Sequence, residues 1–279
     1  MYSEPEPDTA ERMRQMHAAA TVALYATPIG SREAWGWRGR TLSRPVATSS
    51  GDGWLRLVSA PADKASGKLW DGPQEAERSM PPAVPRPRLR ERRTWAEGEY
   101  GYLAELYDKV TAPTVTIHEP ILRAVPDLDD TWWGTLSTAL DAIATLPSDR
   151  VAVRQEYLDR AMPRYLGIPI DTTVPAWTTA HGDLHWANLT SPTLAVLDWE
   201  GWGIAPAGYD AALLHAYSLL VPEAAADVLQ RLGHILNTPT GRFAELVVIT
   251  ELLQTTTRGD NLELEEPLRH RLEHLLQLG

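Results

Sequence analysis

The chain has 279 residues, no cysteine, and a formal net charge of −11 from 26 basic and 37 acidic side chains. An apolar fraction of 43% and a charged fraction of 23% are globular values that exclude global disorder. The missing cysteine excludes a disulfide framework and any thiolate zinc site. The acidic balance argues against nucleic acid as a partner and fits a neutral or cationic small molecule better. No apolar run reaches about 18 residues, so no membrane span is expected. Met1–Asp8 is acidic and proline-rich, unlike a signal peptide or a mitochondrial presequence, and a cytoplasmic protein is expected.

In chain order, the spacing of Met13, Met16, Ala20 and Leu24 predicts a helix over 8–26, capped by Asp8 with Glu11 three residues on. Short β-like pieces follow at Trp35–Thr41, Pro45–Ser49 and Trp54–Ser59, the last two joined by a turn at Ser50-Gly51-Asp52-Gly53. A helix is expected at Lys68–Ser79, then an extended connector at Pro81–Pro87, then strands at Arg88–Trp95 and Tyr100–Tyr107. Beyond 108 the texture turns helical: 130–146, 153–166, 209–220, 223–236, 242–256 and 267–278, interrupted by short strands at Thr178–Ala180 and Leu194–Leu197. In the last helix, Leu268, Leu272, Leu275 and Leu276 form the expected buried stripe. No internal repeat is visible. Strands segregated from helices predict an α+β chain of two lobes, with a seam at 108–115 and a ligand cleft between them.

The segment Thr179-Ala180-His181-Gly182-Asp183-Leu184-His185-Trp186-Ala187-Asn188-Leu189-Thr190, followed by Leu194-Ala195-Val196-Leu197-Asp198-Trp199-Glu200, carries the chemistry. A strand–loop–strand of this length folds back, so Asp183, Asn188 and Asp198 converge. A carboxylate and an amide oxygen suit Mg²⁺, which takes few protein ligands and completes its shell with phosphate and water. Asp183 is then left to accept a hydroxyl proton.

His181-Gly182-Asp183, four residues, Asn188, and then Asp198 resembles the catalytic and metal motifs of the aminoglycoside phosphotransferase family, which has the protein-kinase-like fold. The resemblance implies a small β-rich N-terminal lobe over 1–107, a linker at 108–115 and a larger helical lobe over 116–279. It implies Asp183 as catalytic base, Asn188 and Asp198 as magnesium ligands, and His181 as a brace of the loop. Trp199 and Glu200 stand where protein kinases have phenylalanine and glycine. Ala205-Pro206-Ala207-Gly208-Tyr209-Asp210 resembles the family's following segment, in which an aspartate, here Asp210, anchors the next helix. The implied reaction is transfer of the γ-phosphoryl of ATP or GTP, with Mg²⁺, to a hydroxyl of a small acceptor.

The first lobe departs from that pattern. No G-x-G-x-x-G is present, and Gly36 and Gly39, ahead of an expected turn at Arg40–Ser43, are the candidates for a phosphate loop. The basic residue on the third strand is Arg56, with Lys68 as the other candidate, and arginine is not a silent replacement for lysine. Its acidic partner is Glu75 or Glu77. Glu105-Leu106-Tyr107 resembles the hinge whose backbone meets adenine. Glu200, Glu251 and Asp260 are candidate acceptor contacts, because the family builds that site from C-terminal helices.

Two other functions stay open on the residues alone. One is a pseudokinase or ligand-binding module that keeps the fold without turnover. The other is a metal-dependent hydrolase in which His181, Asp183 and His185 lie on one side of an extended strand. His270-Arg271-Leu272-Glu273-His274 spells an inverted zinc-protease motif but reads as a solvated helix face.

Overall fold

A computed structural model describes residues 3–36, 38–117 and 119–277. They form two compact units. One runs from the N-terminal part to Ser79 and includes Arg86–Pro113; the other joins Met80–Pro85 to Thr114 and the rest of the chain. The second unit thus takes in part of the proline-rich connector, where Pro85 O accepts a hydrogen bond from Val196 N–H at 2.8 Å.

The first unit opens with α1 (Pro7–Ala23). Proline suits the first helical position, where its missing N–H would have no partner anyway. The helix therefore starts one residue before Asp8, and the expected Asp8 cap does not form; Asp8 lies in the first turn, following Glu6 at the N-cap. Strands β1 (Thr27–Pro28), β2 (Ala34–Trp35), β3 (Thr41–Thr48), β4 (Gly51–Pro61), β5 (Leu89–Glu97) and β6 (Tyr100–Asp108) make an antiparallel sheet in the order β1-β3-β4-β6-β5, with β2 also on β3. Helix α2 (Lys68–Ser79) lies between β4 and β5 in the chain and covers the span expected of it.

Two details of the expected strands change. Trp35–Thr41 is not one strand but the end of β2, a turn and the start of β3, with Gly39 N–H bonded to Gly36 O at 3.0 Å; Trp37 lies outside the described residues. Arg40–Ser43 is accordingly not a turn, because β3 begins at Thr41. The β3–β4 turn is Ser49-Ser50, since Thr48 pairs with Gly51 and the glycines belong to β4.

Strand alternation explains the two faces of this sheet. Leu42, Val46, Leu55, Leu57, Tyr102, Ala104 and Leu106 pack against Met13, Met16 and Ala20 of α1 and Leu24 just after it. On the other face, Val58 and Leu103 meet Trp70 of α2.

The second unit contains α3 (Asp130–Ala144), α4 (Gln155–Leu166), β7 (Trp177–Ala180), β8 (Gly203–Pro206), α5 (Tyr209–Ala216), α6 (Pro222–Arg231), α7 (Gly233–Leu236), α8 (Pro239–Thr256) and α9 (Glu265–Gln277). Helix α8 is central, packing on α4, α5, α7 and α9. Its buried Glu245 binds His215 of α5 at 2.8 Å and Arg271 of α9 through both carboxylate oxygens, at 2.9 and 2.7 Å. Trp132, Trp133 and Trp186 form a second apolar centre, in which Trp132 donates its indole N–H to Thr190 O.

The expected helix 223–236 is broken into α6 and α7 at Leu232-Gly233. In α9 the buried stripe is Leu268, Leu272 and Leu275, while Leu276 is exposed; Leu278, its expected end, lies outside the described residues. The partner of β7 is β8 and not Leu194–Leu197, which makes only a single bridge, between Val196 and Leu189. Among the described residues no helix is long and apolar enough to cross a membrane.

Candidate active site

The site is built in the second unit, where β7 ends at Ala180 and the chain turns sharply. Gly182 has φ +81°, and an added Cβ would meet Gly201 O at 3.0 Å and Ala152 Cβ at 3.3 Å, so the turn demands glycine. Asp210, in the first turn of α5, closes it. Its two carboxylate oxygens accept from the backbone N–H groups of His181 at 2.6 Å and Gly182 at 2.9 Å. Burial pushes the Asp210 carboxyl above its ordinary range, against the pull of His181 and those two amides.

His181 is fully buried and has both ring nitrogens engaged. A carbonyl can only accept, so Nε2–H donates to Leu197 O at 2.9 Å, which leaves Nδ1 to accept from Asp183 N–H at 3.3 Å. Trp199 closes over the ring edge to face, with centroids 4.7 Å apart. With neither nitrogen of His181 available, the hydrolase arrangement loses a ligand. The loop is also not an extended strand. Among the described residues, no group of three or more His, Cys, Asp or Glu side chains is placed to hold a metal ion. The same finding covers His270 and His274, which are exposed on α9.

Asn188 ends a single 3₁₀ turn, Trp186–Asn188, with its N–H on His185 O at 2.8 Å. Its side-chain amide donates to Asp183 O at 2.9 Å and faces Asp183 Oδ2 at 3.4 Å and His185 Nε2 at 3.3 Å. Asn188 O in turn accepts from Leu197 N–H at 2.8 Å, which brings Asn188 beside the approach to Asp198.

Asp198 is exposed and has φ +60°, a left-handed conformation that non-glycine residues adopt rarely and that marks a constrained position. The residues on both sides hold it there. Leu197 is bonded through its N–H and its carbonyl to Asn188 and His181, and the Trp199 indole donates to Val196 O at 2.9 Å. Arg150 supports the next turn, donating to Glu200 O and Trp202 O at 3.0 Å each. Half of the Asp183 side chain faces solvent, so the desolvation that opposes its charge is partial. His185, His181 and the Asn188 amide outweigh it and hold the Asp183 carboxyl below its ordinary value.

The structure thus brings together His181, Asp183, Asn188, Asp198 and Asp210. Glu251, on α8, accepts from Tyr209 O–H at 2.5 Å, and burial pushes its carboxyl up to about 7. The Tyr209 phenol is itself pushed up, first by burial, then by Glu251 and more weakly by the nearby Asp183. Glu200 contributes its backbone carbonyl to Arg150, and Asp260 lies in the turn after α8. The sequence assigns no working place to Arg150 or Tyr209, and places His185 only as a metal ligand of the hydrolase alternative. Only Tyr209 had a signal, its position beside Asp210.

In the first unit the candidates are arranged differently from expectation. Arg56 on β4 pairs at 3.0 Å with Glu105, its cross-strand neighbour on β6. Glu105 has no exposed surface; burial raises its carboxyl, against Arg56. Glu77 binds Arg86, Arg88 and the Leu89 N–H, and its carboxyl is lowered because those bonds outweigh burial. Glu105 and Tyr107 belong to β6, whose backbone is flanked by β4 and β5, so they are strand residues and not a free hinge. Lys68 is the first residue of α2, and Glu75 lies two turns along it.

No protein-family model matches the sequence, and no curated protein compared with it shows significant similarity. Solved structures do. The crystal structure of aminoglycoside phosphotransferase APH(4)-Ia matches 95% of this chain and 99% of its own, at TM-score 0.60 and 13% identity. Spectinomycin phosphotransferase APH(9)-Ia, solved with ADP and spectinomycin, matches 92% and 93% at TM-score 0.56 and 13% identity. The amicoumacin kinase hAmiN, solved with AMP-PNP, Ca²⁺ and its antibiotic, matches 95% and 96% at TM-score 0.55 and 12% identity. The chain has the kinase-like fold of the aminoglycoside phosphotransferases, from its antiparallel N-terminal sheet through its helical C-terminal part.

Proposed function

We propose that the protein is a cytoplasmic small-molecule kinase that moves the γ-phosphoryl group of ATP or GTP to a hydroxyl of a small, cationic acceptor, such as an aminoglycoside-like antibiotic or an amino alcohol. One observation carries the reading. Asp183, Asn188 and the approach to Asp198 are gathered by hydrogen bonds among themselves, on a loop held by Asp210. The similar structures include antibiotic kinases solved with nucleotide, which supports the same class.

The acceptor oxygen would form the new bond to Pγ as the bond from Pγ to the β–γ bridging oxygen breaks, with the hydroxyl proton passing to Asp183 and the nucleoside diphosphate leaving. The amide oxygen of Asn188 and the carboxylate of Asp198 are hard donors that fit Mg²⁺ with its remaining sites open to phosphate. Such an ion, when bound, neutralises charge that builds on the phosphoryl oxygens. Arg56 and Lys68 are the basic side chains proposed to serve the nucleotide, and Glu200, Glu251 and Asp260 the acids proposed to serve the acceptor.

The test is nucleoside triphosphate consumption against a panel of hydroxylated metabolites and amine-bearing antibiotics. Consumption that depends on one acceptor and on Mg²⁺ is expected. A second reading, a nucleotide-binding pseudokinase, is favoured by the pairing of Arg56 with the buried Glu105, with which a nucleotide phosphate would have to compete. Nucleotide binding without consumption for any acceptor would give that reading the lead.

A further inference from the structure

Resting on the kinase reading, we infer that His185 is a positioning residue that sets which way the Asn188 amide faces, and so which of its atoms is offered to a metal. The amide nitrogen of Asn188 is surrounded by Asp183 O at 2.9 Å, Asp183 Oδ2 at 3.4 Å and His185 Nε2 at 3.3 Å. An amide NH₂ has two hydrogens and no lone pair to offer. Asp183 O and Oδ2 are acceptors, and His185 Nε2 is a third in the tautomer that carries its hydrogen on Nδ1, so the NH₂ end belongs here and the oxygen is turned the other way. The reverse orientation would set the amide oxygen against a carbonyl and a carboxylate.

His185 has no simple packing role. It is buried to 3% exposure, stands edge to face against Tyr217 at 5.8 Å, and leaves Nδ1 buried without a partner. A buried polar atom in that state is destabilising. Leucine or methionine would fill such a space without that cost, and neither would bring the ring nitrogens. Its Nε2 is the one that meets other groups: the Asn188 amide at 3.3 Å and Asp183 Oδ2 at 3.6 Å. The ring thus touches both the amide proposed to hold metal and the carboxylate proposed to take the proton. Reaching a metal only through Asn188, it positions a ligand and is not one.

The test compares wild type, His185→Leu and His185→Gln, with Mn²⁺ as the metal probe, titrated by EPR into protein saturated with AMP-PNP. Glutamine keeps a polar end that can meet the Asn188 amide; leucine does not. Groups that orient metal ligands are typically worth about 10–100-fold in metal affinity. His185→Leu should therefore bind Mn²⁺ weaker by about that factor, with kcat reduced at limiting metal and recovered as the metal concentration is raised. His185→Gln should recover the affinity to within about threefold of wild type. A folded His185→Leu that binds Mn²⁺ within about twofold of wild type would overturn the proposal and leave the kinase reading intact. A wild type that binds no Mn²⁺ with nucleotide would overturn both. If His185→Leu does not fold, the ring ¹⁵N resonances of His185 in wild type decide: they should move when Mg²⁺ is added to nucleotide-loaded protein, and unchanged resonances would contradict the role.

Discussion

The two units place their chemistry in opposite ways. In the second, the candidate groups lie on one short stretch of chain, His181–Asp198, whose first turn is anchored from outside by Asp210, and most of their hydrogen bonds are to backbone. In the first, the acids and bases are scattered over strands and a helix, and the ones that matter meet one another: Arg56 with Glu105, and Glu77 with Arg86 and Arg88. A loop held by backbone bonds keeps its side chains available for a ligand. A sheet that pairs its own charges uses them for stability, and any ligand must compete with a partner already in place. The difference teaches why the second unit supports a chemical assignment and the first supports only a weaker one.

Four substitutions sharpen that contrast. The largest effect is expected at Asp183. Asp183→Asn keeps the shape but removes the proton acceptor, so kcat should fall by about 10²–10⁴-fold while Mg²⁺–ATP binding changes little. Steady-state kinetics on the acceptor found by screening, paired with nucleotide titration, measures it. A loss of only a few-fold would show that Asp183 is not the base.

Next is Arg56, where the account expects a mainly structural loss. Arg56→Ala leaves Glu105 buried and unpaired and should cost about 3–5 kcal/mol in denaturant unfolding. Removing both charges, Arg56→Met with Glu105→Leu, should recover most of that. If the double variant is stable yet no longer binds ATP, Arg56 also serves the nucleotide, and the contrast between the units narrows.

Asp210→Asn presents one acceptor oxygen to two N–H groups, with a donor forced against the other. Stability should fall by about 2–3 kcal/mol, and turnover with it because the loop loses its anchor. Stability unchanged within about 0.5 kcal/mol would mean that Asp210 does not hold the turn.

The smallest effect concerns pH. Glu251 rises from an ordinary value of 4.5 to about 7 in the folded chain, so between those values the folded state holds a proton that the unfolded state has released. Its contribution is full below about 4.5 and is lost as pH rises through about 7. Glu251→Gln should flatten the decline in melting temperature across that window; identical pH profiles for variant and wild type would remove Glu251 as the cause.

The same contrast explains what was legible in the sequence. The candidate segment could be read because its partners are near neighbours: Asp183, Asn188 and Asp198 span 16 residues, and loop-back geometry follows from so short a distance. Lys68–Ser79 was legible as a helix for a similar reason, being a local pattern between strands. Long-range pairing was not legible. Arg56 meets Glu105 across 49 residues, and nothing local to either names the other. The same holds for β8, whose four residues become a strand only by lying against β7, and for Arg150, which reaches Glu200 and Trp202 from 50 or more residues away. At α1 the local signal was present but outweighed: Pro7 is better suited than Asp8 to begin the helix.

The central claim is that Asp183, Asn188 and Asp198 form a working phosphoryl-transfer site, and its most direct test is the metal dependence of nucleotide binding. Melting temperature would be followed with ATP alone and with ATP plus Mg²⁺, for wild type and Asp198→Ala. The account predicts an added stabilisation by Mg²⁺ in wild type that disappears in Asp198→Ala. An equal added stabilisation in both proteins would contradict it.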